Sequence, residues 1–287
     1  MFSSVKSKLV ASLLAGALLV GALSGCGGTE KPQSESNTSS GQAAKTTITT
    51  AGSTSVQPLS EELAKAFQAK KPNITVNVQG GGSSQGIKAA AEGIAEIGAC
   101  SRELKESEKS LGLVENTIAL DGIAVVVNPQ NSQVSDLTIE QVKKIFAGEI
   151  KNWKDVGGKD APINVVTREA GSGTRGAFEE LVMGKEAKIT DNAVTSPSNG
   201  AVRTSVAGDP NAIGYISIGY LNEEVKPVKI DGVEPKEDNV KSGQYKISRP
   251  FIYLTKGEPQ GAAKEFIEFV LSPEGQKIVA KHYIPVK

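Results

Sequence analysis

Thr167-Arg168-Glu169-Ala170-Gly171-Ser172-Gly173-Thr174-Arg175 gathers hydroxyls, guanidiniums and glycines into one short stretch. It follows Pro162-Ile163-Asn164-Val165-Val166, an apolar run that reads as a strand, and precedes Gly176 to Met183, which has a helical pattern. Glycines allow a tight strand-to-helix turn and a close approach to the main chain. The first N–H groups of the helix and the positive end of its dipole then face the bend. Such a set of donors suits a small oxyanion. Two other readings exist. Gly171-x-Gly173-x-x-Gly176 matches the dinucleotide fingerprint, with Asp191 near the offset of a ribose-binding acid, but that motif belongs in a first strand–turn–helix unit and here falls mid-chain. The stretch could also be a turn with no ligand.

The same arrangement occurs twice more. Thr46 to Thr50 is a β-branched strand that breaks at Ala51-Gly52 and continues through Ser53-Thr54-Ser55 into a helical pattern over 57–69. Asn73 to Gln79 alternates as a half-buried strand and runs into Gly80-Gly81-Gly82-Ser83-Ser84 ahead of another helix. Ser and Thr are good N-caps, so one such junction is ordinary capping. Three of them, rich in donors and poor in acids, suggest convergence on one anion. A further short strand, Ala95 to Cys100, ends at Ser101-Arg102-Glu103. There Arg102 either reaches the same cleft or forms a surface ion pair with Glu103 or Glu106, which would contribute little. Asp121 interrupts the long apolar strand from Thr117 to Asn128, and a lone carboxylate in such a place needs a partner or a task.

Composition removes several classes of function. The chain has one histidine, His282, and two cysteines, Cys26 and Cys100, so His/Cys metal cages and a disulfide framework are excluded. A serine nucleophile would have to find its base in that single histidine near the C-terminus. No cofactor is implied. Net charge is zero, and falls to about −2 once Lys6 and Lys8 are removed, which offers no basic excess for nucleic acid.

Lys6 and Lys8, the apolar run Leu9 to Leu23 and then Ser24-Gly25-Cys26 read as a signal peptide over 1–25. Leu-Ser-Gly-Cys is similar to the bacterial lipobox, in which the mature chain begins at a lipidated cysteine, here Cys26. Diacylglycerol on that sulfur, with palmitate among its acyl chains, would hold the protein on the outer face of the cell membrane. Residues 26–45 are polar and small, a flexible tether. The folded part then spans about 240 residues, more natural as two lobes than as one.

Within it, strands alternate with helices, which argues for the α/β class with parallel sheets and for ligands beyond the carboxyl ends of the strands. Thr138-Ile139-Glu140-Gln141 is a capping box opening a helix that ends at Gly148. Trp153 is expected to pack. Ser272-Pro273 opens the last helix, and no internal repeat is evident.

Six segments together carry a family resemblance: Ala-Gly-Ser-Thr-Ser-Val at 51–56, Gly-Gly-Ser-Ser-Gln-Gly at 81–86, Ile-Gly-Ala-Cys-Ser-Arg at 97–102, the 145–153 segment ending in Asn152-Trp153, Arg-Glu-Ala-Gly-Ser-Gly-Thr-Arg at 168–175, and Ala-Ile-Gly-Tyr at 212–215. From Thr46 to Lys287 the chain resembles the substrate-binding lipoproteins of bacterial phosphate ABC transporters. The resemblance implies the two-lobed periplasmic-binding-protein fold of type II, with crossing strands at about 121–128 and 247–254. The lobes would be 46–122 plus 250–287, and 123–249. It implies that phosphate is held by Thr54, the main-chain N–H of Ser55, Ser83, Arg168, Ser172, Gly173 and Thr174. Arg102 stands where the family has an aspartate that accepts the phosphate proton, so Asp121 is the expected acceptor, with Glu169 next. The implied partners are a membrane permease and its ATPase, with the binding protein itself a monomer and not an enzyme. The alternatives are a binder of sulfate or molybdate, a secreted phosphatase using Ser172 or Ser83, and a protein that only senses the anion.

Overall fold

The computed structural model describes residues 45–286, so the signal peptide, Cys26 and the tether up to residue 44 lie outside the described residues. The first half of the fold is built from β1 (Thr46–Gly52), α1 (Gln57–Lys70), β2 (Ile74–Gly80), α2 (Ser83–Glu92), β3 (Ile97–Cys100) and the short α3 (Glu106–Lys109). A long strand, β4 (Leu113–Val127), leads into the second half. There β5 (Asp136–Leu137), α4 (Ile139–Ala147), β6 (Asn164–Arg168), α5 (Gly173–Phe178), β7 (Val194–Ser196), α6 (Asn199–Gly208) and β8 (Ala212–Ser217) follow in order. Then come β9 (Lys226–Pro227), β10 (Lys229–Ile230) and α7 (Glu237–Lys241). The chain returns along β11 (Ser248–Lys256) and closes with α8 (Gly261–Leu271) and α9 (Pro273–Val279). Among the described residues no helix is long and apolar enough to cross a membrane.

Local signals account for the ends of these elements. Thr138 Oγ1 accepts from Gln141 N–H at 3.1 Å while Gln141 Oε1 accepts from Thr138 N–H at 2.8 Å, the expected capping box of α4. Gly148 then ends that helix in the left-handed conformation. Ser272 caps α9 through Gly275 N–H, with Pro273 in the first turn. The helix expected after Gly176 begins earlier, at Gly173, and runs into a π-helical turn over Glu179–Met183. Trp153 is buried, and its indole N–H donates to Asn211 O at 3.0 Å.

The main sheet is mixed rather than parallel throughout. Its order is β2-β1-β3-β11-β4-β8-β6-β7, with β9 beside β4. The triplet β2-β1-β3 and the triplet β8-β6-β7 are each parallel. Between them β11 pairs antiparallel with β3 and β4, and β4 pairs antiparallel with β8. The reason is connectivity. Strand β4 carries the chain out of the first half and β11 carries it back, so the two must run in opposite directions.

Hydrophobic burial divides along the same line. Val56, Leu59, Leu63, Phe67, Ile118, Ala119, Phe251 and Tyr253 belong to one core cluster. Ile123 to Val127, Phe146, Phe178 and Tyr215 belong to another, where the rings of Phe178 and Tyr215 stack 4.1 Å apart. Between the two stretches of β4 lie Leu120, Asp121 and Gly122. Asp121 sits directly opposite Arg249 in the β4–β11 ladder, and both side chains are buried.

Helix α2 lies unusually close to its sheet, and glycine is what permits it. A Cβ on Gly86 would stand 2.5 Å from Ala51 O and 2.7 Å from Ala99 O, both backbone atoms that cannot swing away. Gly208, at the end of α6, has open space around it and an ordinary helical conformation. Gly86→Ala is therefore expected to cost about 1–3 kcal/mol in urea denaturation. Gly208→Ala is expected to be neutral or to gain about 0.4–1 kcal/mol. Equal effects at the two positions would contradict the close packing.

Candidate functional site

At the first junction the chain leaves β1 at Gly52 and turns through Ser53, Thr54 and Ser55 into α1. No side chain caps α1 or α2, so the hydroxyls of Thr54, Ser55 and Ser83 are not spent on their helix ends. Only the third junction uses its serine as a cap: Ser172 Oγ accepts from Arg175 N–H at 3.2 Å. The N–H groups of Gly173 and Thr174 open α5, where the helix itself has no carbonyl to offer them.

The three junctions meet. Ser55 Oγ lies 2.8 Å from Thr174 Oγ1. Arg168 Nη2 donates to Thr54 Oγ1 at 3.3 Å, and Ser84 N–H donates to Gly171 O at 3.1 Å. A Cβ on Gly173 would come within 2.1 Å of Ser83 Oγ and 2.5 Å of Ser101 Oγ, so only glycine lets the start of α5 approach the second junction. Thr54, Ser55, Ser83, Arg168, Ser172, Gly173 and Thr174 thus lie in one buried cluster formed by the three junctions. The main-chain N–H of Ser55 differs from expectation, because it donates to Ser53 Oγ at 3.2 Å.

Arg168 is the charged member of this group. Its Nε donates to Glu169 Oε2 at 3.0 Å and its Nη2 to Glu169 Oε1 at 2.9 Å, with Ser196 O and Pro197 O as further acceptors. Its Nη1 is buried and has no partner among the described residues. A buried guanidinium donor left unpaired is costly, so this atom marks where an acceptor belongs.

Two expected ligands are placed elsewhere. Arg102 is turned away from the cluster. Its Nη1 and Nη2 grip Glu108 at 2.7 and 2.8 Å, Nη1 also donates to Glu103 O, and Nη2 donates to Ser84 Oγ at 3.3 Å. The cause is the alternation of an extended chain after β3: Ser101 faces inward, so its neighbour cannot. Asp121, expected to accept a proton from the anion, reaches the cluster only through Arg249. Its Oδ1 accepts from Ser217 Oγ at 2.8 Å, and its Oδ2 from Arg249 Nε at 3.0 Å and Nη2 at 2.9 Å. Its pairing register on β4 aims the carboxylate at β11, which leaves it no free side for a ligand.

Ser53, Ser101, Asn199, Ser217, Tyr220 and Arg249 join the cluster in addition to the expected residues. Arg249 Nη2 donates to Ser55 Oγ at 2.9 Å, and Nη1 to Ser101 Oγ at 3.3 Å. Asn199, first residue of α6, donates from Nδ2 to Ser55 Oγ at 2.9 Å and to Thr54 Oγ1 at 3.3 Å. Tyr220 donates its hydroxyl to Thr54 O at 2.7 Å. One signal was available: an arginine in the second crossing strand is the natural counterion for an aspartate in the first.

The chain is similar to known proteins over most of its length. The model of the PBP superfamily domain matches residues 37–274. The phosphate-binding protein PstS of Bacillus subtilis is 37% identical over 287 residues, covering 98% of this chain and 95% of that one. A Clostridium perfringens substrate-binding protein, crystallised with bound phosphate, superposes with a TM-score of 0.81 at 50% identity, covering 84% of this chain and 100% of that one. An ABC-type phosphate transport receptor from Vibrio cholerae gives a TM-score of 0.70 at 41% identity, over 83% and 99%.

Burial pushes the Asp121 carboxyl up from 3.8 to about 6, against the pull of Arg249 and the hydrogen bonds it accepts. Burial likewise lowers Arg249, opposed by Asp121. The folded state therefore holds the Asp121 proton more tightly than the unfolded chain does. The stability owed to this group is complete below the ordinary carboxylate range and is lost as pH rises through about 6. Between about pH 4 and pH 7 the protein is expected to lose up to about 3 kcal/mol relative to Asp121→Asn. Parallel urea-denaturation profiles for the two proteins over that range would contradict the raised carboxyl.

Proposed function

The chain belongs to the PBP superfamily, among the phosphate-binding proteins, and on that basis we propose that it captures inorganic phosphate and delivers it to the permease of an ABC transporter. The observation that carries this reading is the unpartnered buried Nη1 of Arg168 at the place where three donor-rich junctions meet. The residues that hold the anion are Thr54, Ser83, Arg168, Ser172, Gly173 and Thr174, while Ser55, expected among them, instead positions the hydroxyl of Thr174. Asp121 supports the site through Arg249, and Arg102 braces its rim through Ser84 and Glu108.

Phosphate enters between the lobes 46–122 plus 250–287 and 123–249, a division supported by the separate core clusters around Phe67 and around Phe178. Hydroxyls, the first N–H groups of α5 and the guanidinium of Arg168 replace its hydration. Hydrogen bonds to an ion are about twice as strong as neutral ones, and burial reduces their screening. Thr54 and Ser83 come from one lobe, Arg168 and Thr174 from the other, so the anion binds the closed arrangement best and shifts the hinge toward it. The closed surface is what the permease, with its ATPase, receives.

Binding without chemistry fits the serines. Among the described residues neither Ser83 nor Ser172 has a carboxylate or imidazole as a hydrogen-bond partner. Ser83 Oγ accepts from Ser101 N–H and Ser172 Oγ from Arg175 N–H. The protein works outside the cytoplasm, held at the membrane by lipid on Cys26.

In calorimetric titration Arg168→Ala is expected to lose about 1.5–3 kcal/mol of phosphate affinity, about ten- to hundredfold or slightly more. Unchanged affinity would remove Arg168 from the site. Titrating sulfate and molybdate alongside phosphate identifies the preferred oxyanion, with phosphate expected to bind most tightly. Cys26→Ala is expected to abolish palmitate labelling and release the protein from the membrane fraction; retained label would exclude this anchor.

A further inference from the structure

The hydrogen bonds around Ser55 are numerous enough to determine which atom donates in each. Asn199 comes first. Its Oδ1 accepts from Ser217 N–H at 3.1 Å, and a main-chain N–H can only donate, so the orientation of the amide is determined. Its Nδ2 therefore points at Thr54 and Ser55, with one proton for each. Arg249, which has no acceptor atom, sends Nη2–H to Ser55 Oγ as well. A hydroxyl oxygen has two lone pairs. Those of Ser55 are both taken, by Asn199 and Arg249, each at 2.9 Å. Its remaining neighbour is Thr174 Oγ1 at 2.8 Å, so Ser55 must donate to it. Thr174 then keeps its own proton for a ligand. Thr54 Oγ1 is in the same condition, accepting from Asn199 Nδ2 and Arg168 Nη2 and left with a proton to give.

We propose that Asn199 and Arg249 are specificity-determining residues: Asn199 with Arg168 fills the lone pairs of Thr54, and Asn199 with Arg249 fills those of Ser55, so Thr54 can only donate, the anion oxygen beside it must be unprotonated, and Thr174, accepting from Ser55, turns its own proton toward the ligand. Ser217 holds both arms of this device. Its N–H orients Asn199, and its hydroxyl donates to Asp121, which holds Arg249. All of these residues are at least nine-tenths buried, which keeps water from supplying alternative donors.

This inference deepens the phosphate-binding reading and rests on it for its ligand, and two measurements separate the two. Neutron diffraction of the deuterated wild-type protein reads the polarity directly. The deuteron between Ser55 and Thr174 is expected on Ser55 Oγ; finding it on Thr174 would overturn the proposal whatever the protein binds. Calorimetry then compares phosphate with sulfate at one mildly alkaline pH, where phosphate carries a proton and sulfate none. Asn199→Leu removes both amide donors without changing charge and returns a lone pair to Thr54 and to Ser55, allowing them to accept from P–OH. The ratio of sulfate to phosphate affinity is expected to fall about fivefold in this variant. Arg249→Lys, which keeps the charge but lacks the fixed fork, is expected to shift the ratio the same way. If both anions weaken in parallel, Asn199 merely ties the lobes together and the proposal fails. If the wild type binds no phosphate, the transport reading fails while the neutron map still decides the polarity.

Discussion

Asp121 and Arg249 face each other, both buried, where β4 and β11 cross between the two cores. Removing two charges from water costs several kcal/mol per ion, and attraction alone recovers it only when every remaining donor and acceptor is used. Here they are used: Ser217 completes the carboxylate, while Ser55 and the carbonyl and hydroxyl of Ser101 complete the guanidinium. Phe251 adds its ring face 5.6 Å from the arginine carbon. A one-residue slip of β11 against β4 would separate the charges and leave both unpaired, so the pair also specifies the register of the waist.

From that waist the site is assembled in both directions. Toward the first half, Arg249 holds Ser55 and Ser101, the residues that end two neighbouring strand–helix junctions. Toward the second half, Ser217 on β8 holds Asn199, which reaches back over Thr54. The three junctions can converge because glycines thin the backbone where they meet, above all Gly173 against Ser83. The result is a cluster rich in donors around two buried guanidiniums, Arg249 paired with Asp121 and Arg168 paired with Glu169 but with its Nη1 unpartnered among the described residues. Donors held in position in this way lower the cost of ordering a ligand when it binds.

Glycine followed by hydroxyls at three strand ends was legible in the sequence because strand alternation, helix periodicity and turn chemistry are local properties. Those signals placed Thr54, Ser83, Ser172 and Thr174 at helix starts and Arg168 at the end of a strand leading into one, and convergence followed from the α/β class. The long apolar β4 with one aspartate was legible too, as was the second crossing strand. What misled was side-chain direction. Arg102 adjoins a junction and carries the charge an anion needs, yet Ser101 occupies the inward position and Glu108 takes the guanidinium. Asp121 was identified as a residue with a task, but the task is to hold Arg249. The sheet, read as parallel from alternating strands and helices, is mixed because local pattern does not show which strands carry the chain out and back.

Residue type and spacing were enough to set the elements, their order and the chemical character of the three junctions. All of these arise within a few turns of chain. Tertiary structure alone decided who faces whom: Asn199 and Arg249 over Ser55, Ser101 instead of Arg102, Asp121 against Arg249. The contacts Arg249–Ser55, Asn199–Ser55 and Arg249–Asp121 join residues 128 to 194 positions apart. No local propensity encodes a partner at that distance; it is set only when two cores pack and every buried polar group must find its match.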